Sequence, residues 1–190
     1  GVSFPSSVGL GCGIDSNLIA AKAIAQLGVG FLEIGPVTAT PFGSDDCISR
    51  DNATEAIVIS EGDLNPGLDH LIENLTNAGN LRVPIVTRMG RRVLVSDSND
   101  EARSIVERLG PFSEVLAIPA PTSDAQVDGV VELSHYARTV GYKIVLLAIP
   151  VDQPINDACA RELIVREEID GLLIDGASHA NDSSDAKDVV

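Results

Sequence analysis

The sequence predicts an α/β fold built on a parallel sheet, and three observations carry that prediction. Apolar runs of strand length recur along the chain, with helix-patterned stretches between them. Four of the helical stretches stop at a glycine, Gly28, Gly79, Gly110 and Gly141, as a helix does when it closes in a left-handed residue. The hydrophobic content of 44% comes almost without aromatics, with no Trp, two Tyr and four Phe. A core of Val, Ile, Leu and Ala suits strands buried on both faces.

In chain order, strands are expected near residues 8–14, 31–35, 83–89, 114–120, 144–150 and 171–175. Helices are expected near residues 17–27, 66–78, 99–109, 125–140 and 154–167. Pro66 and Pro154 suit a first helical turn, where a missing N–H costs nothing. Asp100 and Glu101 put negative charge at a helix start that Asn99 or Ser98 can cap. Strand–helix alternation of this length implies right-handed βαβ units. Between Thr38 and Asn65 the rhythm breaks into a turn-rich insertion with one strand-like run at residues 56–60, placed at the C-terminal ends of the strands. A closed eight-stranded barrel needs about 250 residues, so the 190 residues make a partial barrel or an open sheet. Residues 1–176 read as one domain and 177–190 as a polar tail or linker.

The formal net charge is −15, with only three lysines, Lys22, Lys143 and Lys187. Phosphate surfaces are bound by clustered cations, so nucleic acid and anionic membranes are not the expected partners. Cys12, Cys47 and Cys159 are odd in number and widely spaced. They read as free thiols in a reducing compartment such as the cytoplasm, with no structural zinc. No apolar run reaches the eighteen residues of a membrane span. The chain starts at Gly1, which fits a tag scar and leaves targeting unreadable.

The stretch VGLGCGID, residues 8–15, sets three glycines at alternate positions behind an apolar run. A dinucleotide fingerprint would need a glycine where Ile14 stands, although Glu33 lies near the place of a ribose-binding acid. A fuller explanation comes from residues 8–41, VGLGCGIDSNLIAAKAIAQLGVGFLEIGPVTATP. This stretch resembles the first two βα steps of the class 2, membrane-associated dihydroorotate dehydrogenases. NPGLDHLIENLTNAG, GPFSEVLAIPAP, VLLAIPVD and IDGLLIDGAS follow in the family's order. The resemblance implies a TIM-barrel-like (β/α) fold, here partial with about six βα units. It also implies that Gly11, Cys12 and Gly13 lie against the isoalloxazine ring of FMN, since a flat ring packs on a strand end only where no side chain intrudes. Without the resemblance, the same glycines need be no more than a crowded strand in a barrel interior.

The family's polar residues are mostly replaced. Ser16 stands for the substrate-contacting lysine, Pro36 for a flavin-contacting threonine and Arg88 for an asparagine facing the flavin. The substrate loop reads SEGDLN, residues 60–65, with Asn65 the one relic. The flavin lysine falls at Leu146 or Leu147, and a threonine–asparagine pair at Asp175 and Gly176. Ala120 stands where the family places the serine base, with Thr122 and Ser123 nearby. A methyl group accepts no proton, and general-base catalysis needs a basic group within about 3 Å of the carbon acid. The last two βα units, which hold phosphate in flavin barrels, have no counterpart here.

Three readings follow. The leading one is a non-catalytic domain on this fold, serving as scaffold, interaction module or ligand sensor, with no cofactor expected. The alternative is an FMN-dependent oxidoreductase converting dihydroorotate to orotate, with a site incomplete in this chain. A third is a barrel enzyme with a recruited site drawn from Asp15, Arg88, Arg91, Arg92, Asp152 and Asp175. There Arg88, Arg91 and Arg92 would clamp an anion and the carboxylates would hold Mg²⁺. Against this, Asp15 also suits a helix cap and the arginines suit solvated loops. His70, His135 and His179 form no triad pattern. Open sheet edges recruit cover, so the first-strand edge is expected to lie under a second copy, the insertion or a neighbouring domain.

Overall fold

The computed structural model describes residues 1–43, 48–59, 65–94, 99–150 and 157–175. Helix α1 (Ala21–Ala25) precedes strand β1 (Leu32–Val37), and strands β2 (Ile48–Asp51) and β3 (Ala56–Ile59) follow. Then come α2 (Leu68–Ala78), β4 (Ile85–Met89), a 3₁₀ turn at Arg91–Leu94, α3 (Asp100–Leu109) and β5 (Val115–Pro119). The chain continues through α4 (Asp124–Val140), β6 (Ile144–Pro150), α5 (Asp157–Val165) and β7 (Gly171–Asp175). The main sheet runs β1-β4-β5-β6-β7, and every pair in it is parallel. A single parallel bridge, Leu10 to Leu32, adds one more segment outside β1. Spatial order follows sequence order without reversal. That is barrel winding, because a doubly wound sheet reverses at its switch point.

The two faces of the sheet differ as the alternation of side chains requires. In β5, Leu116 and Ile118 join the main core, while Val115 and Ala117 face the other way. The main core takes Leu71 and Leu75 of α2, Ile105 and Leu109 of α3, Leu133 of α4 and Leu163 of α5. The second cluster is small: Val86, Val115, Ala117 and Ala148, with Val2, Phe31, Ile144, Leu146 and Leu173 against them. No helix contributes to it, so the helices lie on one face of the sheet and the second cluster lines the barrel interior.

Several expected boundaries shift. The strand expected at residues 8–14 contracts to the Leu10 bridge, and the helix expected at 17–27 contracts to α1. The cause is Asp15, whose Oδ1 and Oδ2 accept the Ile19 and Ala20 amides at 2.9 Å each and hold a turn there. α2 begins two residues after Pro66, behind Gly67 at φ +83°. Its Cβ would meet Pro41 at 2.7 Å. The strand expected at 31–35 runs on through Pro36 to Val37. The run at 56–60 is β3, paired antiparallel with β2, which the sequence did not announce. These two strands pair with each other and form their own sheet, not joined by strand pairing to the main one. Gly28, Gly79 and Gly141 have positive φ as expected of helix ends, whereas Gly110 sits at φ −50°. A Cβ at Gly110 would meet Val140 Cγ1 at 2.5 Å, so close packing of α3 on α4 demands that glycine. Asn99 does not cap α3 with its side chain; its amide donates to Glu132 Oε2 and to the Gly129 carbonyl. Ser98, Pro154 and the tail 177–190 lie outside the described residues.

Candidate functional site

The inner face ends, toward the C-terminal ends of the strands, in a polar cluster above the small apolar floor. Arg88 of β4 is in register with Ala117 of β5, and Ala117 with Leu146 of β6, so the three share that face. Arg88 Nη1 donates to Cys12 Sγ at 3.5 Å and lies 3.7 Å from Glu33 Oε1 of β1. The Arg88 and Glu33 side chains are 16% and 11% exposed. An ion pair this far from water is favoured because each charge meets an opposite one. The sequence singled out Arg88 and Glu33 separately. Their pairing was illegible because strand periodicity shows which face a residue takes and not which residue stands beside it on the next strand.

The glycine stretch divides by role. A Cβ at Gly9 would strike the Phe31 ring at 2.5 Å, so that glycine answers to packing. Gly11 and Gly13 are exposed on either side of buried Cys12. A Cβ at Gly13 would meet nothing within 4 Å, and one at Gly11 only Glu33 Oε2 at 3.7 Å. Their backbone is open to a flat ligand without being shaped by one.

Ala120 follows β5 directly, half-buried, and its N–H donates to the Ala148 carbonyl at 2.9 Å. Thr122 is exposed and held elsewhere: its N–H and hydroxyl both reach Gln126 Oε1, at 2.8 and 3.1 Å. Ser123 occupies the extended N-cap position of α4. The one-residue ambiguity at β6 resolves by face. Leu146 packs in the inner cluster, whereas Leu147 is fully buried in the main core.

At the mouth, Asn65 is buried and its Oδ1 accepts the Thr38 hydroxyl at 3.0 Å and the Gly67 N–H at 2.9 Å. Phe42 and Asn65 exchange both backbone bonds at 3.0 Å. The Ala39 N–H donates to Glu101 Oε1 at 2.9 Å, tying the same loop to α3. Arg92 is exposed and lies 3.9 Å over the Phe42 ring, and Arg91 is half-buried. Arg91, Arg92 and the 3₁₀ turn they begin follow β4 at this end of the sheet. Asp15 is spent on its turn and Ser16 is half-buried. Asp152, Gly176, His179, Cys47, residues 60–64 and the Asp175 side chain lie outside the described residues. His70 is exposed, and His135 Nε2 lies 2.6 Å from Glu168 Oε2 on the helical side. Among the described residues no group of three His, Cys, Asp or Glu could hold a metal ion. No described helix is long and apolar enough to cross a membrane.

A reduced flavin wants donors on its ring nitrogens and a cation near its developing negative charge. Pro36 has no N–H to offer, Leu146 has no charge, and the Arg88 charge already faces Glu33 and Cys12. Among the described residues, those at these positions offer a flavin neither the threonine N–H nor the lysine charge that the family resemblance calls for. A cleft of about 470 Å³ lies at the opposite end of the strands, between Arg82, Pro84, Phe112, Glu114 and Lys143. In barrels that end serves stability and the C-terminal end serves chemistry.

No family model matches the chain. The chain is 32% identical over 195 residues to the dihydroorotate dehydrogenase (quinone) of Psychrobacter cryohalolentis, covering 91% of itself and 56% of that protein. It is 28% identical over 139 residues to the protein of the same description from Idiomarina loihiensis, covering 71% of itself and 41% of that protein. The corresponding protein of Burkholderia pseudomallei is 26% identical over 194 residues. The chain thus spans about half the length of the curated relatives it matches. In fold it is similar to the crystal structure of DHODH in complex with ferulenol from Eimeria tenella. The TM-score is 0.69 at 19% identity, over 94% of this chain and 58% of that one. Sequential parallel winding, helices on one face and these sequence matches agree, and the chain is a homologue of the dihydroorotate dehydrogenases (quinone), matched over part of their length.

Proposed function

We propose that this chain is a dihydroorotate-dehydrogenase-fold domain that does not itself oxidise dihydroorotate, and that it serves as a scaffold, interaction or ligand-sensing module. The observation that carries this reading is Ala120. Where the family resemblance calls for a base, a methyl group follows β5, its backbone N–H is bound to Ala148, and Thr122 is turned away onto Gln126. Among the described residues Thr122 is engaged with Gln126 and Ser123 caps α4 by position, and hydride transfer without a base leaves the substrate's second proton with no acceptor. The Arg88–Glu33 pair supports the same reading, since the arginine charge is already matched by a carboxylate within the chain.

The test is direct. Purified protein titrated with FMN should show no quenching of flavin fluorescence in the micromolar range. Dihydroorotate with excess FMN and a quinone should give no orotate above a flavin-only blank, and Ala120→Ser should not restore it. Stoichiometric micromolar binding together with turnover would establish the second reading, an FMN-dependent oxidoreductase. That reading is favoured by the open backbone at Gly11 and Gly13 and by the description of the relatives. Binding without turnover would fix the role as flavin sensing.

A further inference from the structure

We propose that Cys12 is a reactive thiol, poised by Arg88 and open to small electrophiles and peroxides at the C-terminal end of the first strand segment. The thiolate is the nucleophilic form of cysteine, and a neighbouring cation favours it. Arg88 Nη1 points a charged N–H at Cys12 Sγ from 3.5 Å. A sulfur that accepts from a guanidinium is stabilised as the anion, because the interaction strengthens when the proton leaves. Glu33 lies 3.7 Å from the same guanidinium and moderates its charge. The cluster therefore joins three unlike groups: a nucleophile, a cation that activates it, and a carboxylate that tunes the cation.

Cys12 is 8% exposed, and the residues on either side of it are exposed glycines, which add no side chain of their own; Gly13 has open space where one would stand.

The contrast within the chain is sharp. Cys159 is also buried, yet its Sγ lies 3.1 Å from Asp124 Oδ1. Burial and that carboxylate push its thiol up and keep it protonated. One fold thus holds an arginine-facing and a carboxylate-facing cysteine.

The chemistry needs no group beyond the reagent. With iodoacetamide the sulfur forms a C–S bond and iodide leaves. With hydrogen peroxide as oxidant the sulfur attacks one oxygen, the O–O bond breaks and hydroxide leaves. The sulfur is oxidised by two electrons to a sulfenic acid.

The experiment labels the native protein with limiting iodoacetamide near neutral pH and maps each cysteine by peptide mass spectrometry. Dimedone trapping after peroxide is the second arm. Cys12 should label at least about tenfold faster than Cys159. Arg88→Gln should slow Cys12 by about fivefold or more, Arg88→Lys should keep the rate, and Glu33→Gln should raise it. Equal rates at the two cysteines, or an unchanged rate in Arg88→Gln, would overturn the proposal. If Arg88→Gln opens the fold, Cys159 will label as fast as Cys12 and report it. Glu33→Gln then decides: a rise at Cys12 supports the proposal and no rise sinks it. The labelling is run on protein without added FMN, because a ring lying on Gly11–Gly13 would shield Cys12.

Discussion

At Tyr142 a phenol is sealed beneath the strand β4, only 3% exposed, and its hydroxyl has no hydrogen-bond partner among the described residues. Burial pushes its pKa up, and the neighbouring Thr87 hydroxyl offsets this only in part. Cys159 is shifted the same way by burial and then by Asp124. Both groups hold their protons more tightly folded than unfolded. Their contribution to stability is therefore complete below the ordinary values of 9.0 for the thiol and 10.0 for the phenol, and drains away as pH climbs past them. Thermal melts should be insensitive to these groups from neutral pH to about 9 and fall beyond it. Tyr142→Phe should melt within about 1 kcal/mol of the parent at neutral pH, since an unbonded hydroxyl is no loss. It should also lose less stability above pH 10. An alkaline fall in Tyr142→Phe as steep as the parent's would show that the hydroxyl titrates as it does in the unfolded chain.

Among the elements, the glycines that end α3 and α4 test two different causes. Gly110 precedes β5 with ordinary φ, and a Cβ there would overlap Val140 Cγ1 of α4. Gly141 ends α4 at φ +121° with nothing near its missing Cβ. Gly110→Ala should cost about 1–3 kcal/mol by overpacking and be largely recovered by adding Val140→Ala. Gly141→Ala should cost about 1 kcal/mol or more through backbone strain, with no recovery from any neighbour. Denaturant midpoints of the four proteins decide it. The pair also shows what the sequence makes legible. Glycine after an apolar helix face correctly marked the ends of α2, α3 and α4, yet nothing in the one-dimensional pattern separates a left-handed residue from a crowded one. The strands β4 to β6 were readable because a parallel strand buried on both faces is a continuous apolar run, and β7 because its run GLLID is likewise apolar. β2 was not, because ISRD has no such run and is defined by its partner β3. The first strand and helix were overextended because Asp15 serves equally well as a helix cap and as the anchor of a turn. At the site, Ala120, Arg88 and Gly11–Gly13 were identifiable by position. Cys12 beside Arg88, and Arg92 over Phe42, were not, since they join residues 76 apart in one case and neighbouring loops in the other.

For the whole molecule, charge and edges set behaviour. A net charge of −15 repels itself, and salt screens that repulsion. The melting temperature should rise by roughly a few degrees between about 10 and 200 mM NaCl. A flat or falling response would mean that attractive pairs such as Arg108–Asp69 and Arg138–Asp170 outweigh the net repulsion. The sheet ends in two apolar margins: Leu172 and Ile174 of β7 are 44% and 70% exposed, and Val8 and Ile14 at the other end 69% and 74%. Along the first segment, Leu10 donates to the Phe31 carbonyl and Val8 accepts from Gly30. The Gly9 and Gly11 amides have no recorded partner among the described residues. Hydrogen exchange should find Leu10 slow in any sample. Gly9 and Gly11 should be slow only where a second copy or a neighbouring domain covers that edge, which is the arrangement expected from its apolar character. Fast exchange at both in a sample that is oligomeric would show the cover to lie elsewhere.

The Phe42–Asn65 contact makes part of this chain exchangeable. Both backbone bonds between the two residues are 3.0 Å, which sets their Cα atoms at about 5.5 Å, the spacing that a two-residue turn spans. Asn65 also fastens Thr38 and the start of α2, so the sheet is already stitched shut beneath β2 and β3. β2 and β3 run between those two bonded positions, and an Asn-Gly turn replacing 43–64 should leave a protein with the parent's circular dichroism and cooperative melting if that segment behaves as a cassette. A protein that no longer folds would prove the cassette structural. One that folds offers a fixed, two-point socket on the face where the strands end, ready to display whatever loop is grafted into it.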